Sequence, residues 1–432
     1  MLFAAEWQAG VATVSITPRE SVWMSGYGNR TTPSQGVAQP IHAKALALKD
    51  PEGRHFVLVT TDLIGFSHDV AEGIAARVAR EYHISRERLL LSSSHTHTGP
   101  AIAGNLPLMQ PPTPELQAST QRYTRYLQDQ VVAVVGQALD GLAPAKLSYH
   151  VGKAGFAQNR RFRSPDGTFK IADNPGGLVD HDVPVLRVDG ADGKLRAVLL
   201  SYAAHNTTLG GKDMAIHGDY AGEMQAYWEK AHPGATALFM LGCAGDANPR
   251  RRGSIEAAKE NGRELADAVD AAITKRGLAI QGPLHATFER FPIRLEPVPD
   301  RAEWERRARE AEGLDKQIAE YFLGVLDSKG AIAETYEYPL QVLKLGDKLE
   351  LIALGGEVTV GYALQLKQKL GPATTWVVAY SNDVMSYIPT VQILGEGGYE
   401  PERSQMYYGM PGKWDPSIEK TILDRALAAA ER

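Results

Sequence analysis

Six short apolar segments, each followed by polar residues, constrain the fold of this chain more than any other feature of its sequence. They are residues 56–61, 89–91, 197–204, 236–241, 349–354 and 375–380. Each has the length of a buried strand, and segments with helical spacing of apolar residues lie between several of them. This alternation predicts an α/β fold, in which mixed central sheets carry flanking helices. Ligands of such folds bind outside the carboxyl ends of the strands, so we expect the functional site there.

The composition is that of an ordinary globular protein. The 432 residues are 44% hydrophobic and 22% charged, and a chain of this length can build one large α/β unit. We therefore predict a single domain over residues 1–432, which can carry a helical insertion at about residues 300–330. The net charge of −5 gives no reason to expect binding to nucleic acid or to an anionic membrane.

Two further features limit the chemistry and the location of the protein. Cys243 is the only cysteine, so an intrachain disulfide and a cysteine-rich zinc site are both excluded. No apolar run reaches the roughly 20 residues that cross a bilayer, so we expect no integral membrane segment. Residues 1–7 lack the basic region and the long apolar core of a signal peptide. We expect a cytoplasmic protein, or a secreted or periplasmic one if a leader has been removed.

The segment 89–100 carries the clearest chemical signal. An apolar run is followed by three serines, then by His95 and His97, and then by a Gly-Pro turn. We expect a buried strand whose polar end opens into a cleft. Because strand residues two apart point to the same side, both imidazoles could face one metal ion or one substrate. A pair of loop histidines without chemistry is the alternative.

His95, His205 and Glu357 each follow an apolar run, and together they offer two imidazoles and one carboxylate. This donor set suits Zn²⁺, which takes nitrogen and oxygen ligands and keeps an open position in catalytic sites. Such an ion lowers the pKa of a coordinated water to about 7, which supplies a nucleophile at neutral pH. The spacing leaves two alternatives open, namely a buried His205 satisfied by hydrogen bonds and an exposed turn carboxylate at Glu357.

Two other segments are expected to form polar loops. Residues 23–30 contain two glycines together with Tyr27 and Arg30, but their spacing is not that of a dinucleotide-binding fingerprint. Arg30 is either a solvated loop charge or a clamp for a substrate anion. Residues 158–163 are expected to form a polar, basic turn.

Ordered motifs run through nearly the whole chain. They are residues 10–18, 24–27, 95–100, 159–160, 203–207, 218–220, 245–249, 356–359 and 381–387. The His-Thr-His-Thr-Gly-Pro motif at 95–100 is the most specific of them. In this order the motifs resemble the catalytic, N-terminal domain of the neutral/alkaline non-lysosomal ceramidases, which act in sphingolipid and lipid metabolism. Because the chain stops near the end of that domain, we expect a stand-alone, bacterial-type member without the family's C-terminal sandwich domain.

The resemblance implies a zinc site and the groups around it. The implied ligands are His95, His205, Glu357 and Tyr387. His97 and Arg160 would line the site and bind or polarise the scissile carbonyl as negative charge develops on its oxygen. Tyr399 matches a second tyrosine near that oxygen, and a phenol or an imidazole there could pass a proton to the leaving amine.

Five other residues complete the predicted site. Asp219 matches an acidic residue of the family and is assigned a catalytic role, although a place at a helix N-terminus would explain it equally well. Tyr27, Arg30 and Asn248 are assigned to substrate binding, with Asp62 as a supporting residue. Asn248 stands where the family carries a serine in a Gly-Asp-x-Ser-Pro motif. Because an amide cannot form an acyl-enzyme, a serine mechanism is excluded, whereas a zinc-dependent one is not.

These observations predict a zinc-dependent hydrolase that cleaves the amide bond of an N-acyl substrate with water activated by Zn²⁺. An esterase or deacetylase that acts on a soluble sugar or acyl conjugate would use the same residues. A non-catalytic relative that only binds a ligand is the third alternative, suggested by Asn248. The cations at Arg30, Arg160, Arg161 and Arg163 favour a polar or anionic small molecule over long-chain ceramide presented on a membrane.

Overall fold

The computed structural model describes residues 6–110 and 113–431 of the chain. Its first half contains β1 (Gln8–Ser15), β2 (His42–Lys49), β3 (His55–Thr61), α1 (His68–Tyr82), β4 (Leu89–Ser93), α2 (Pro114–Asp140), β5 (Ala143–Lys153), β6 (Ala157–Arg163), β7 (Phe169–Asn174), β8 (Asp182–Gly190) and β9 (Leu195–Tyr202). Then follow α3 (Asp219–Ala231), β10 (Thr236–Leu241), β11 (Ala247–Pro249), α4 (Ile255–Ile273), β12 (Leu278–Ala279) and β13 (Leu284–Arg294).

The last third begins with two helices inside the segment 300–330 and ends with a helix. Its elements are α5 (Arg301–Glu310), α6 (Gly313–Lys329), β14 (Thr335–Leu345), β15 (Leu349–Leu354), β16 (Glu357–Val358), α7 (Val360–Leu370), β17 (Thr375–Val378), β18 (Tyr387–Ile388), α8 (Val391–Glu396), α9 (Ser404–Tyr407) and α10 (Ser417–Glu431). One turn of π-helix, Tyr399–Arg403, precedes α9. In the described residues, no helix combines the length and the apolar character needed to cross a membrane.

The strands form two large sheets and two small ones. The largest has nine strands in the order β10-β9-β8-β5-β1-β2-β3-β4, with β12 paired to β5. A four-stranded sheet has the order β13-β14-β15-β17, and the small sheets are β11-β6-β7 and β16-β18. Both large sheets mix parallel and antiparallel pairs, for example the parallel pair β9–β10 beside the antiparallel pair β8–β9. The predicted α/β fold with mixed sheets is therefore confirmed.

The two large sheets pack against each other through a common apolar core. Leu58 and Leu90 of the nine-stranded sheet share this core with Leu351 and Trp376 of the four-stranded sheet, and all four are buried. Burial of a side chain of this size contributes about 1.5–3 kcal/mol relative to leaving it exposed. The contact between the sheets brings the carboxyl ends of β4, β9, β15 and β17 near one another.

Helix boundaries in the structure follow local sequence signals. The Ser254 side chain accepts a hydrogen bond from the N–H of Ala257 at 3.1 Å and so caps the N-terminus of α4. Gly313 begins α6 with a φ of +57°, a conformation that glycine adopts without strain. This residue separates α5 from α6, so the predicted helical segment is a pair of helices.

Two expectations about local structure are wrong. Residues 158–163 lie in β6, which pairs with β7 and β11, rather than in a turn. The strand before the histidine pair ends at Ser93, and His95 has a φ of +61°, so neither histidine lies in a strand. After its three leucines, β4 continues through Ser92 and Ser93, which are small and buried. The left-handed backbone at His95 then changes the direction of the chain.

Candidate functional site

Three buried or nearly buried imidazoles converge where the two large sheets meet. His95 and His97 lie in the loop after β4, and His205 lies three residues beyond the end of β9. One ring nitrogen from each of the three residues lies within 4.8 Å of the corresponding nitrogen of the others. The Nε2 atoms of His95 and His97 are 3.1 Å apart. The three histidines could together hold a metal ion.

Each of these histidines is oriented by a backbone carbonyl on the side away from the cluster. The Nδ1 atoms face the carbonyl oxygens of Ile64 for His95 at 2.5 Å, of Gly26 for His97 at 3.0 Å and of Ala244 for His205 at 2.7 Å. A carbonyl only accepts hydrogen bonds, so these contacts assign the proton of each neutral ring to Nδ1. The Nε2 atoms therefore direct their lone pairs into the cluster, as metal-binding histidines do.

Glu357 and Tyr387, on the small two-stranded sheet, complete the cluster. They are directly paired neighbours in the short parallel ladder of β16 and β18. The Oε2 atom of Glu357 lies 3.1 Å from Nε2 of His95 and 2.9 Å from Nε2 of His205. The hydroxyl of Tyr387 is 3.3 Å from Nε2 of His205. The residues implied as zinc ligands thus lie together in the structure, with His97 beside them.

The donor atoms fit a metal ion. Burial lowers the pKa of His205 to about 4 and that of His97 well below its usual value, so both rings are neutral at pH 7. Lone pairs of nitrogen and of a carboxylate that face each other at about 3 Å repel unless a cation lies between them. Ligands at 2.0–2.2 Å from a tetrahedral zinc ion are about 3.3 Å from one another, which is close to the observed separations.

Arg160 supplies a fixed positive charge next to this cluster. Its Nη2 donates to the hydroxyl of Tyr387 at 2.8 Å, its Nε donates to Oε1 of Glu400 at 3.0 Å, and its Nη1 donates to Oδ1 of Asn248 at 3.2 Å. Burial acts to lower the pKa of Arg160, but Tyr387 and Glu400 raise it well above its usual value. The guanidinium therefore stays charged in a buried position.

Tyr399 closes the side of the site that carries Arg160. It begins the π-helical turn, and its ring lies 5.7 Å from the ring of Tyr387. The Arg160 guanidinium is 6.0 Å from the centre of the Tyr399 ring. Single π-helical turns occur frequently at functional sites, because they redirect side chains without ending the helix. Tyr399 therefore lies beside Tyr387 and Arg160.

Comparisons with known proteins identify the family of this chain. The family model described as neutral/alkaline non-lysosomal ceramidase, N-terminal, matches residues 7–291. The chain belongs to this ceramidase family. The neutral ceramidase of Pseudomonas aeruginosa is 24% identical over 255 residues, which are 56% of this chain and 37% of that protein. Neutral ceramidase B of Dictyostelium discoideum is 25% identical over 268 residues, which are 58% of this chain and 36% of that protein.

The fold similarity to ceramidases extends over nearly the whole chain. The crystal structure of the Pseudomonas aeruginosa neutral ceramidase has a TM-score of 0.76 at 20% identity, covering 99% of this chain and 75% of that one. A ceramidase structure complexed with C2 has a TM-score of 0.74 at 19% identity and covers 99% and 76% of the two chains. The sequence alignments span less than half of the length of the curated relatives that the chain matches.

Two of the predicted ceramidase site residues lie outside the cluster. Asp62 accepts hydrogen bonds from the N–H of His42 at 2.9 Å and from Nε2 of Gln225 at 3.2 Å. Asp219 begins α3 with a φ of +54° and accepts from the N–H groups of Leu209 and Tyr220. Carboxylates at such positions stabilise helix N-termini and loops. The structure does not bring either side chain into contact with the cluster.

Tyr27 and Arg30 lie at the edge of the site and contact it through the His97 loop. The Tyr27 ring is 5.0 Å from the ring of His97. Arg30 is 6% exposed, and its two terminal nitrogens donate to the carbonyls of His97 at 2.8 Å and of Ser25 at 2.6 Å. It is therefore not a solvated loop charge. Its contacts hold the backbone that carries His97.

The structure also places residues at the site that the sequence analysis did not assign to it. They are Tyr380, Glu400 and Tyr408. Glu400 bridges Arg160 and Arg161, with its Oε1 and Oε2 atoms 3.0 Å and 2.5 Å from the two guanidinium groups. Glu400 directly follows Tyr399, so its proximity to a predicted residue was the one available signal. Tyr380 ends the predicted apolar segment 375–380 and precedes the motif at 381–387, which is a similar signal. Tyr408 belongs to no motif, and only the tertiary structure reveals it.

Proposed function

We propose that this chain is a zinc-dependent hydrolase that cleaves the amide bond of an N-acyl substrate. The observation that carries the proposal is the convergence of three imidazole Nε2 lone pairs with Oε2 of Glu357 and the hydroxyl of Tyr387. Membership of the ceramidase family supports the amide bond as the reacting group, since the similar proteins are named neutral ceramidases. The matched residues His95, His205, Glu357 and Tyr387 would hold the metal.

When bound at these residues, a zinc ion would polarise the scissile carbonyl and activate water at neutral pH. Arg160 would stabilise the negative charge that develops on the carbonyl oxygen, because its guanidinium is buried, charged and already oriented by Glu400. A preorganised donor of this kind contributes most where water is excluded. Tyr399, beside the same guanidinium, would contact that oxygen from the other side.

His97 would act as a proton acceptor rather than as a donor to the carbonyl oxygen. Its Nδ1 proton is held by the carbonyl of Gly26, and its Nε2 lone pair faces the cluster. A neutral imidazole in this tautomer can take a proton from an attacking water and return it to the leaving amine. The resemblance implies two roles for an imidazole at this position, polarising the carbonyl and passing a proton to the leaving amine. The contact with Gly26 favours the second role for His97.

Asn248 has a positioning role in this proposal. Its Oδ1 accepts from Nη1 of Arg160 at 3.2 Å and from the hydroxyl of Thr207 at 3.3 Å. The side chain therefore helps to orient the guanidinium at the position where the family carries serine. This arrangement needs no covalent intermediate on the protein.

The test is metal analysis followed by assays on matched substrates. We expect about one zinc per chain in protein purified without added zinc, and hydrolysis of N-acyl substrates that stops on chelation and returns with zinc. A short-chain ceramide, an N-acyl amino acid and their O-acyl counterparts form the panel. Turnover of only the O-acyl compounds would identify an esterase. A protein that takes up no zinc and turns over none of the panel would contradict the proposal.

A further inference from the structure

Glu357 presents its two carboxylate oxygens to different partners. Oε2 faces the Nε2 atoms of His95 and His205 at 3.1 and 2.9 Å. Oε1 accepts a hydrogen bond from the hydroxyl of Tyr408 at 2.5 Å. One oxygen is thus directed at the metal-binding cluster, and the other is held outside it.

We propose that Tyr408 is a positioning residue that keeps Glu357 a metal ligand through one oxygen only. This inference rests on the proposed function, because it presupposes that the cluster binds a metal ion. An ionised carboxylate has no proton to donate, whereas a tyrosine hydroxyl does, so the hydrogen bond runs from Tyr408 to Glu357. This hydrogen bond then keeps the carboxylate from rotating so that Oε1 also faces the metal.

No other contact on the carboxylate can do the same. The hydroxyl of Tyr380 faces the other oxygen, 3.5 Å from Oε2 of Glu357. Hydrogen bonds between oxygens are usually 2.5–3.0 Å long, so this contact is too long to orient the group. Among the described residues that contact Glu357, Tyr408 is therefore the one that separates the roles of its two oxygens.

Tyr408 is held by the same short helix that supports Tyr387. The backbone N–H of Tyr408 donates to the carbonyl of Gln405 at the end of α9. The Gln405 side chain in turn donates to the carbonyl of Tyr387 at 3.3 Å. Trp414 donates to the same carbonyl at 2.9 Å. Tyr408 and the ladder that carries Glu357 and Tyr387 thus form one connected unit.

The expected effect of Tyr408 concerns the number of metal ligands. Carboxylates bind metals through one oxygen or through both, and catalytic zinc sites function because one coordination position stays open. Without its partner at Oε1, Glu357 could bind through both oxygens and fill that position. Tyr408 would thus affect access of water and substrate more than it affects metal uptake.

The experiment compares cobalt-substituted wild type with Tyr408→Phe and a matched control, Tyr362→Phe. Tyr362 is buried and donates its hydroxyl to the carbonyl of Pro389 at 3.1 Å, away from the cluster. His95, His205, Tyr387 and one oxygen of Glu357 supply four ligands, so the open position is the fifth. We expect the visible absorption of the cobalt forms of the wild type and the control to change when azide, a small anion that binds at an open position, is added. Tyr408→Phe should bind the same amount of cobalt, and its absorption should not respond to azide, because Glu357 then fills that position. Its zinc form should lose about 10–100-fold in kcat, as for other outer-shell partners, with KM little changed.

The outcomes separate this inference from the proposed function. If wild-type protein takes up no cobalt, the metal site itself is wrong and the role of Tyr408 falls with it. If the wild type and Tyr408→Phe respond equally to azide and have the same kcat, only the role of Tyr408 is overturned. A wild type that binds cobalt but does not respond to azide has no open position, which would also overturn the role of Tyr408. Thermal unfolding of both variants identifies a general loss of structure, which would lower Tm without changing the spectrum of the bound ion.

Discussion

Nε2 of His205 lies 2.9 Å from Oε2 of Glu357, although 152 residues separate them in the sequence. His205 follows β9 of the nine-stranded sheet, and Glu357 follows β15 of the four-stranded sheet. Both side chains are buried. The candidate metal site therefore depends on the contact between the two sheets, and neither sheet could build it alone.

Replacing Glu357 by Gln should lower metal affinity and activity together. The amide keeps the shape of the side chain but removes the negative charge that faces His95 and His205. The loss should exceed the 10–100-fold that removal of an outer-shell partner typically costs. Metal content after dialysis against a chelator and kcat/KM measure the two effects. Glu350→Gln, on β15 but away from the site, is the control. Retained metal with full activity would remove Glu357 from the ligand set.

Much of the fold was predictable because its strands and helices carry strong local patterns. Residues 349–354 were expected as a strand, and β15 has these bounds because an apolar run ends at two glycines. The basic segment 158–163 was misassigned because its charges suggested solvent. In the structure Arg160 and Arg161 are buried against Glu400, about 240 residues away in the sequence. No local pattern reports such a distant partner.

The site was predictable in part for the same reason. His95, His205, Glu357 and Tyr387 belong to motifs, and the structure brings all four together. Tyr408 belongs to no motif, so its contact with Glu357 could not be found without the fold. Asp62 also follows an apolar strand, but its carboxylate serves the backbone of His42. A polar residue at a strand end is thus a candidate for the functional site, and the packing of the fold decides whether its side chain reaches that site.

His97→Ala and His95→Ala should have different effects on metal binding. If His97 transfers protons, His97→Ala should keep its zinc and lose about 10²–10⁴-fold in kcat. His95→Ala should lose zinc, because its Nε2 lies between Glu357 and His97. Zinc content by elemental analysis and kcat distinguish the two variants. His285→Ala, at an exposed position on β13, is the control. Loss of zinc from His97→Ala would make His97 a ligand.

Glu400→Gln should destabilise the protein and impair Arg160. The carboxylate is buried and bonds both Arg160 and Arg161, so its loss leaves a buried cation without its main partner. Breaking a buried ion pair on one side costs about 3–5 kcal/mol. Urea unfolding measures this free energy. Glu20→Gln removes an exposed ion pair with Arg122 and should change stability little. Equal effects of the two substitutions would show that the buried charge is not important.

Asp246→Asn should change how stability depends on pH. Asp246 is buried and accepts from the N–H of Val360 at 2.8 Å, and burial raises its pKa to about 6. Between about pH 4 and pH 6 the folded state holds this proton and the unfolded state does not, so the contribution of Asp246 to the free energy of unfolding falls as pH rises. The difference in the free energy of unfolding between the wild type and Asp246→Asn should change by about 1.4 kcal/mol per pH unit, or about 3 kcal/mol in all.

Urea unfolding at pH 4, 5, 6 and 7 tests this expectation, with Asp267→Asn as the control. Asp267 is exposed on α4, so the same change of charge takes place there without burial. The amide that Asp246→Asn introduces can still accept a hydrogen bond from the N–H of Val360. The contribution of this contact to the stability of the variant is therefore the same at every pH. The free energy of unfolding of the wild type, relative to that of Asp246→Asn, should therefore be highest at pH 4 and about 3 kcal/mol lower at pH 7. A difference that stays constant from pH 4 to pH 7 would show that Asp246 is ionised in the folded protein throughout this range.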